Sequence, residues 1–328
     1  NPARQAAMGA GIPQEKTAYG INQLCGSGLR TVALGYQAIK TGDSEIVVAG
    51  GLESMSQAPH IAHLRSGVKM GSGELIDTML RDGLMDAFAG YHMGNTAENV
   101  AQKWQLTREE QDAFALSSQQ KAEAAQKAGK FKDEIVPVTI TTRKGETVVD
   151  TDEGPRAGTT MDVLSGLRPV VAGGSVVTAG NSSTLNDGAS AIIVASEAAI
   201  EKLGLTPRAR IIDGASAGCE PEIMGIGPVP ATQKVLARAG LSVGDLGAVE
   251  LNEAFATQSL ASMRRLGLDP EIVNRDGGAI SLGHPLGSSG SRIAITLLGR
   301  MEREDARIGL ATMCIGVGQG TAMLLERV

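Results

Sequence analysis

Residues 24–30 read Leu-Cys-Gly-Ser-Gly-Leu-Arg, and a similar heptapeptide, Leu-Gly-Ser-Ser-Gly-Ser-Arg, stands 262 positions later at residues 286–292. A helical pattern accompanies each heptapeptide, and an apolar strand follows each helix, beginning at Ile46 in one copy and at Ile308 in the other. Because the helix-to-strand spacing is the same in both copies, we interpret them as one duplicated α/β unit. The sequence therefore predicts two related α/β halves.

Apolar runs that end in glycine alternate with amphipathic stretches of helical length along much of the chain. This pattern is typical of sheets whose buried parallel strands are covered by helices. The predicted buried strands are Ile46–Gly51, Ala191–Val194, Arg210–Ile212, Ala248–Leu251 and Ile308–Thr312. The predicted helices are Pro2–Gly9, Leu29–Ile39, Arg108–Lys127 and Ala231–Ala239. Thr107 and Glu110 have the spacing of a capping box for the third of these helices.

Residues 60–183 differ from the segments on either side. They carry more charge, a short strand-like run at Ile135–Thr141 and a turn-rich stretch from Lys144 to Gly158. We interpret them as an insertion. The predicted domains are an N-terminal domain made of residues 1–59 and 184–205, a loop domain of residues 60–183, and a C-terminal domain of residues 206–328.

Composition excludes several classes of protein. The 328 residues include 43 glycines but only eight aromatic side chains, and their net charge is −6, which argues against a nucleic-acid binder. No apolar stretch reaches the roughly eighteen residues of a membrane span, so no membrane partner is expected. The three cysteines lack the spacing of a disulfide framework or a zinc site. These features predict a soluble protein of a reducing compartment, the cytoplasm.

Cys25 and His284 are the first candidates for chemistry. Cys25 precedes a helical pattern, and the free N–H groups of a helix N-terminus favour a thiolate nucleophile. His284 lies in the glycine-rich loop Gly277–Gly287 and is suited to act as the base for such a thiol. The alternatives are a small buried cysteine that serves only packing and a loop histidine that serves only hydrogen bonding.

Two further candidates follow predicted strands. Cys314 stands where a strand ends and a glycine turn begins, the edge of an α/β sheet at which ligands collect. Asn252 also follows a strand and precedes a helix, so it is either a functional amide or a helix N-cap. Cys219 has no companion motif, and we expect it to be structural.

Four motifs together resemble the signatures of the thiolase family, in particular its bacterial biosynthetic branch. They are Asn22–Gly28, Asn252–Phe255, Gly277–Pro285 and Cys314–Gly316. They occur in the family's order, and the resemblance runs from Asn1 to Val328. It implies a five-layered αβαβα fold made of two related halves, with an inserted loop domain that covers the coenzyme A (CoA) site. It also implies that elements preceding Asn1 in the family are absent from this chain, which would expose an apolar sheet edge.

The resemblance implies an acyltransferase that reversibly condenses two acetyl-CoA molecules to acetoacetyl-CoA and CoA by a ping-pong mechanism. Cys25 becomes acetylated, His284 takes its proton, and Cys314 removes the α-proton of the second acetyl-CoA. His284 and a water held by Asn252 stabilise the enolate oxygen, while the N–H groups of Cys25 and Gly316 stabilise the other oxyanion. No metal or redox cofactor is implied, because the CoA thioesters are substrates.

Other residues match the family's CoA site, where several apolar side chains line a pantetheine tunnel. They are Arg156, Ser183, His92, Met93, Leu84, Met224, Ala179 and Ala254. Their alternative role is ordinary packing. Val163 and Val171 stand where close relatives carry Ser and Phe, so details of the CoA contacts are expected to differ. Residues His63–Glu74 resemble the family's tetramerisation loop, which implies a homotetramer built as a dimer of dimers.

Three rival functions follow from the same residues. A degradative 3-ketoacyl-CoA thiolase would accept longer chains, and a decarboxylating ketoacyl synthase would carry His or Asn in place of Cys314. A non-catalytic CoA- or lipid-binding relative would not require Cys25, His284, Cys314 and Asn252 together. Met224 and the His92–Met93 pair resemble those of short-chain enzymes, so the sequence favours a short-chain thiolase.

Overall fold

The computed structural model describes every residue from Asn1 to Val328. Its α-helices are α1 Pro2–Gly9, α2 Ser27–Lys40, α3 Met93–Trp104, α4 Arg108–Lys127, α5 Met161–Ser165, α6 Glu197–Leu203, α7 Pro228–Ala239, α8 Ala256–Leu266, α9 Ala279–Leu282 and α10 Leu286–Arg303. Its strands are β1 Ile46–Ser54, β2 His60–Ile61, β3 Ile76–Asp77, β4 Val138–Thr142, β5 Gly145–Val149, β6 Asp187–Ala195, β7 Ala209–Gly218, β8 Ala248–Leu251, β9 Ile308–Ile315 and β10 Gln319–Arg327. Short 3₁₀ turns include Leu24–Gly26, and Leu80–Leu84 forms one turn of π-helix.

Two sheets frame the molecule. One has four strands in the order β7-β10-β9-β8, and the other pairs β1 with β6. The prediction of parallel strands is wrong for most of these pairs, since only β8 and β9 run parallel. In the four-stranded sheet the reason is β10, a strand that is not predicted from the sequence. The three-residue turn 316–318 joins it to β9, and so short a connection permits only antiparallel pairing.

Helices α2 and α10 lie between the two sheets and hold the duplicated heptapeptides against each other. A Cβ atom on Gly28 would lie 2.7 Å from the backbone nitrogen of Ser291, and one on Gly290 would lie 2.3 Å from that of Leu29. Gly28 and Gly290 occupy equivalent positions in the two heptapeptides. Glycine at both positions therefore lets the helices cross at backbone contact, which explains why the repeat preserves it.

Two apolar clusters lie on either side of the four-stranded sheet. Leu29, Ile293 and Leu297 belong to the cluster between the sheets, and Val235 and Leu236 of α7 belong to the cluster on the opposite face. These layers follow the order sheet, helices, sheet, helices. The core is aliphatic, as the scarcity of aromatic residues predicted.

The β1–β6 sheet is buried on one face only. β1 packs against α2 and α10, yet Ala49 is its only buried residue, so the prediction that it is a fully buried strand is wrong. Its outer face carries Val48 and Leu52, and β6 adds Ile193, which is 67% exposed. Side chains alternate across a strand, and here the apolar residues of the second face have no layer over them.

The middle of the chain contains α3, α4, α5 and an isolated hairpin. The capping box of α4 is confirmed, since Thr107 Oγ1 accepts from the Glu110 N–H at 3.1 Å and Glu110 accepts from the Thr107 N–H at 2.8 Å. The stretch predicted to be turn-rich instead contains β5, which pairs with β4. No helix of the molecule has the length and apolar character required to cross a bilayer. The three domain boundaries stay a prediction.

Candidate active site

Cys25 lies in the 3₁₀ turn Leu24–Gly26, which runs directly into α2. Ser27 closes this turn, because its hydroxyl donates to the Leu24 carbonyl at 2.7 Å and accepts from the Gln23 N–H at 2.9 Å. Leu24 adopts the left-handed conformation with φ 48°, an uncommon backbone state for a non-glycine residue. The predicted position of Cys25 at a helix N-terminus is confirmed.

The expected thiolate is not formed in this environment. Burial raises the pKa of Cys25 to about 11, and the charge of Glu53 adds to the increase. Backbone hydrogen bonds from Gly316 and from Cys25 itself act in the opposite direction. The sulfur is therefore a thiol at neutral pH and requires a base before it can attack a substrate.

The end of β9 and the turn that follows it bring Cys314 and Gly316 to the Cys25 loop. A Cβ on Gly26 would lie 2.3 Å from Ile315 Cδ1, and one on Gly316 would lie 2.9 Å from Met93 Cε and 3.3 Å from Leu24 Cδ1. Bare backbone on both sides thus allows the two loops to touch. Cys314 is 1% exposed, and burial, followed by the charge of Cys25, raises its pKa well above the usual range for a thiol.

His284 is a buried, neutral imidazole. Its Nδ1 lies 2.6 Å from Ser289 Oγ, and that hydroxyl donates its own proton to the Pro285 carbonyl at 3.0 Å. Ser289 must then accept from Nδ1–H, so Nε2 is the unprotonated ring nitrogen. Burial, with a smaller contribution from the charge of Arg292, lowers the pKa of His284 to about 3. The ring is therefore available as a base throughout the neutral range.

Asn252 faces the His284 ring. Its Nδ2 lies 3.4 Å from Nε2 and 3.5 Å from Nδ1, and its Oδ1 is buried without a hydrogen-bond partner. The N-cap alternative for Asn252 is wrong, because α8 begins at Ala256 and its N-cap is Phe255. A buried amide oxygen with no protein partner suits a bound water or a substrate group.

Two residues that the sequence analysis missed hold His284 in place. One is Ser289, and the other is Asn186, which accepts from the His284 N–H at 3.1 Å and occupies the space that a Gly283 side chain would need. The repeat offers a signal for Ser289, since it is the equivalent of Ser27, the residue that closes the Cys25 turn. Nothing in the sequence singles out Asn186.

Some of the residues that match the family's CoA site meet at Cys314. Met93, Met224 and Ala254 pack with it in one buried cluster that also contains Val177 and Phe255. Ser183 adjoins this cluster, because its N–H donates to the Ala254 carbonyl at 3.0 Å.

His92 caps α3, and its Nδ1 accepts from the Gly94 N–H at 3.0 Å, so Nε2 carries the remaining proton. Leu84, Arg156 and Ala179 lie outside the buried cluster around Cys314, and Arg156 and Ala179 are exposed. A cavity of about 500 Å³ lies elsewhere, between α3 and residues 173–176, and none of the candidate catalytic residues lines it.

Comparison with known proteins identifies relatives of this chain. Two family models match, the thiolase N-terminal domain over residues 1–198 and the thiolase C-terminal domain over residues 205–327. An acetyl-CoA acetyltransferase of Rhizobium meliloti (strain 1021) is 62% identical over 327 residues, which cover 100% of this chain and 83% of that protein.

Solved structures agree with this result. Bacillus anthracis acetyl-CoA acetyltransferase superposes with a TM-score of 0.97 at 42% identity, covering 100% of this chain and 83% of that chain. Human mitochondrial 3-ketoacyl-CoA thiolase in complex with CoA superposes with a TM-score of 0.95 at 45% identity, covering 99% of this chain and 82% of that chain. The predicted duplicated α/β fold is confirmed, and the chain belongs to the thiolase family.

Proposed function

We propose that this enzyme is an acetyl-CoA C-acetyltransferase that reversibly condenses two acetyl-CoA molecules to acetoacetyl-CoA and CoA. The observation that carries the proposal is the combination of two protonated thiols, Cys25 and Cys314, with the neutral His284 ring and the Asn252 amide oxygen, which has no hydrogen-bond partner. A reaction that stores an acyl group on one sulfur while a carbon acid is deprotonated requires both thiols.

In the first half-reaction, His284 Nε2 takes the proton of the Cys25 thiol, and the thiolate attacks the acetyl carbonyl carbon. The backbone N–H groups of Cys25 and Gly316, which lower the pKa of the Cys25 sulfur, are suited to hold the oxyanion. The carbon–sulfur bond to CoA then breaks, and the departing sulfur takes the Cys314 proton. Acetyl-Cys25, a Cys314 thiolate and a protonated His284 remain.

In the second half-reaction, the Cys314 thiolate removes the α-proton of a second acetyl-CoA. Protonated His284 and a water on Asn252 Oδ1 would stabilise the enolate oxygen. The enolate carbon attacks acetyl-Cys25, the Cys25 sulfur is expelled, and it recovers its proton from His284. The chemistry requires no metal or redox cofactor.

We propose that both apolar and polar residues bind CoA. Met93, Met224 and Ala254 would line the apolar channel that leads to Cys314. The exposed Arg156 guanidinium suits a phosphate group, and the Nε2–H of His92 and the Ser183 hydroxyl are available as polar contacts. Leu84 and Ala179 would complete the outer wall.

Chain-length preference tests this function against its nearest rival, a 3-ketoacyl-CoA thiolase that accepts a broader range of acyl chains. Met93, Met224 and Phe255 pack with Cys314 in one buried cluster, and we expect this packing to limit the room for a long acyl chain. We expect kcat/KM for thiolysis of acetoacetyl-CoA to exceed that of a C10 3-ketoacyl-CoA by about 10-fold or more. A higher value on the longer substrate would reverse the choice between the two functions.

The pH profile tests the ionisation states. Because the pKa of His284 is lowered to about 3 and that of Cys25 is raised to about 11, neither group changes charge near neutrality. We expect kcat/KM for acetylation of Cys25 to be flat from about pH 6 to about pH 9 in stopped-flow measurements. An inflection near the ordinary pKa of histidine would show that His284 titrates there.

We also propose a cytoplasmic homotetramer. The segment that resembles a tetramerisation loop projects exposed apolar side chains, among them Leu64, Val68 and Met70, and Met70 is 94% exposed. All three cysteines are free thiols, as in proteins of reducing compartments. Light scattering coupled to size-exclusion chromatography should give a mass four times that of the chain, and a monomer would contradict the assembly.

A further inference from the structure

Glu253 carries a buried carboxylate that the proposed chemistry does not use. It is 1% exposed, and no cation forms a salt bridge with it. Instead Oε1 accepts from Asn274 Nδ2 at 2.8 Å, while Oε2 accepts from the Ser118 hydroxyl at 2.6 Å and from the Ile280 N–H at 3.2 Å. Burial raises the pKa of Glu253, and these three hydrogen bonds oppose the increase. Such a group is costly to bury and calls for a reason.

Asn274, which donates to Glu253, also binds Leu251, the residue that precedes Asn252. The Asn274 amide also accepts from the Leu251 N–H at 2.9 Å and donates to the Leu251 carbonyl at 2.7 Å. Asn252 itself donates its N–H to the Thr312 carbonyl at 3.0 Å, and its carbonyl accepts from Gln258 at 2.6 Å. The backbone of Asn252 is thus fixed at every polar atom, and only its side chain is left for chemistry.

Glu253 also fixes the loop that leads to His284. A Cβ on Gly278 would lie 2.2 Å from the Glu253 carboxyl carbon, so the loop can pass only as bare backbone. Ser118, which donates to Glu253, accepts from the Gly278 N–H at 3.2 Å and lies 3.1 Å from the Ser281 hydroxyl. One carboxylate therefore joins α4, the segment 251–253 and the segment 277–283, which includes α9.

We propose that Glu253 is a positioning residue that sets the Asn252 amide against the His284 ring, so that both address the same substrate oxygen. This inference rests on the proposed function. Asn252 and His284 come from different loops. The distance of 3.4 Å between Asn252 Nδ2 and His284 Nε2 therefore depends on a link between those loops. Misplacement of a catalytic group by about 1 Å can cost about 100-fold in rate.

The test is Glu253→Gln, which keeps the size of the side chain. Both carboxylate oxygens accept from N–H donors, so the new amide nitrogen must face either Asn274 Nδ2 or the Ile280 N–H. For thiolysis of acetoacetyl-CoA we expect kcat to fall by about 10- to 100-fold while KM stays within about threefold, because the substrate-binding residues are untouched.

A double-mutant cycle with Asn252→Ala separates positioning from stability. If Glu253 acts through Asn252, the double variant should be no more than about threefold slower than the slower single variant. The matched control is Glu250→Gln, a carboxylate that is equally buried but pairs with Arg300 at 2.8 Å. It should lower the melting temperature, change kcat by less than about threefold, and combine with Asn252→Ala multiplicatively.

The outcomes distinguish a failure of the positioning role of Glu253 from a failure of the proposed function. Glu253→Gln that leaves kcat unchanged, or whose effect multiplies in full with that of Asn252→Ala, would overturn the positioning role while the function stands. Wild-type protein with no activity on acetoacetyl-CoA would overturn both. If Glu253→Gln does not fold, Ser118→Ala removes one donor and leaves the other two. It should then show a smaller loss in kcat with the same dependence on Asn252.

Discussion

Cys25→Ala is expected to lower kcat for acetoacetyl-CoA thiolysis by at least about a thousandfold, because no other group in the site can carry the acetyl group. Cys314 is the only other thiol at the reacting atoms, and it is needed as the acid and base. Incubation of the wild-type protein with acetyl-CoA, followed by peptide mass spectrometry, should show one acetyl group on Cys25. The variant should show none.

Cys219→Ala is the matched control for this experiment. Cys219 is also free and partly buried, and burial likewise raises its pKa to about 11. Its sulfur has only a weak contact with the Met224 carbonyl at 3.9 Å, and we expect the activity to stay within about twofold. Full activity of Cys25→Ala, or acetylation of Cys219 in place of Cys25, would contradict the mechanism.

The position of Cys25 was predictable, but its protonation state was not. A glycine and serine pattern before a helical run identifies a helix N-terminus from local sequence alone. Whether burial or hydrogen bonding dominates the pKa of the sulfur depends on β9 and Gly316, which lie nearly 300 positions away. Local sequence carries no information about that desolvation.

The same distinction between local and distant information applies to the fold. The capped helix α4 is predictable because Thr107 and Glu110 lie three residues apart, and the repeat is predictable because two similar heptapeptides can be compared at any separation. The direction of strand pairing depends on which strand occupies the neighbouring position. The glycine turn 316–318 carries no local signal that a second strand, β10, follows it and pairs with β9. The N-cap alternative for Asn252 fails because four residues, 252–255, separate the end of β8 from the start of α8.

The supporting residues of the site were the least predictable. Ser289, Asn186 and Glu253 are ordinary polar residues in sequence, and each acquires its role only through a partner on another segment. Glu253 lies within one of the four recognised motifs, yet the motif alone does not reveal that its carboxylate links two catalytic loops. Such roles follow from three-dimensional contacts rather than from residue type.

Cys314→Ala should separate the two half-reactions. Removal of an α-proton requires a base, and while Cys25 is a thioester no other thiol is available, so condensation and thiolysis should fall by at least about a thousandfold. Acetylation of Cys25 should persist, because a thiolate with a solution pKa near about 8.5 can leave without the Cys314 proton. Mass spectrometry of acetyl-Cys25 and steady-state thiolysis, measured on the same preparation, report the two steps separately.

Exchange of the α-hydrogens of acetyl-CoA provides the decisive readout. In heavy water, wild-type enzyme should incorporate deuterium into acetyl-CoA, because Cys314 exchanges its proton with solvent between turnovers. Cys314→Ala should not incorporate deuterium. Cys25→Ala, in contrast, should lose both acetylation and thiolysis. If Cys314→Ala abolished acetylation of Cys25 as completely as it abolished thiolysis, one base would have to serve both steps. That base would be Cys314 rather than His284, and this result would contradict the assignment of His284 as the base for Cys25.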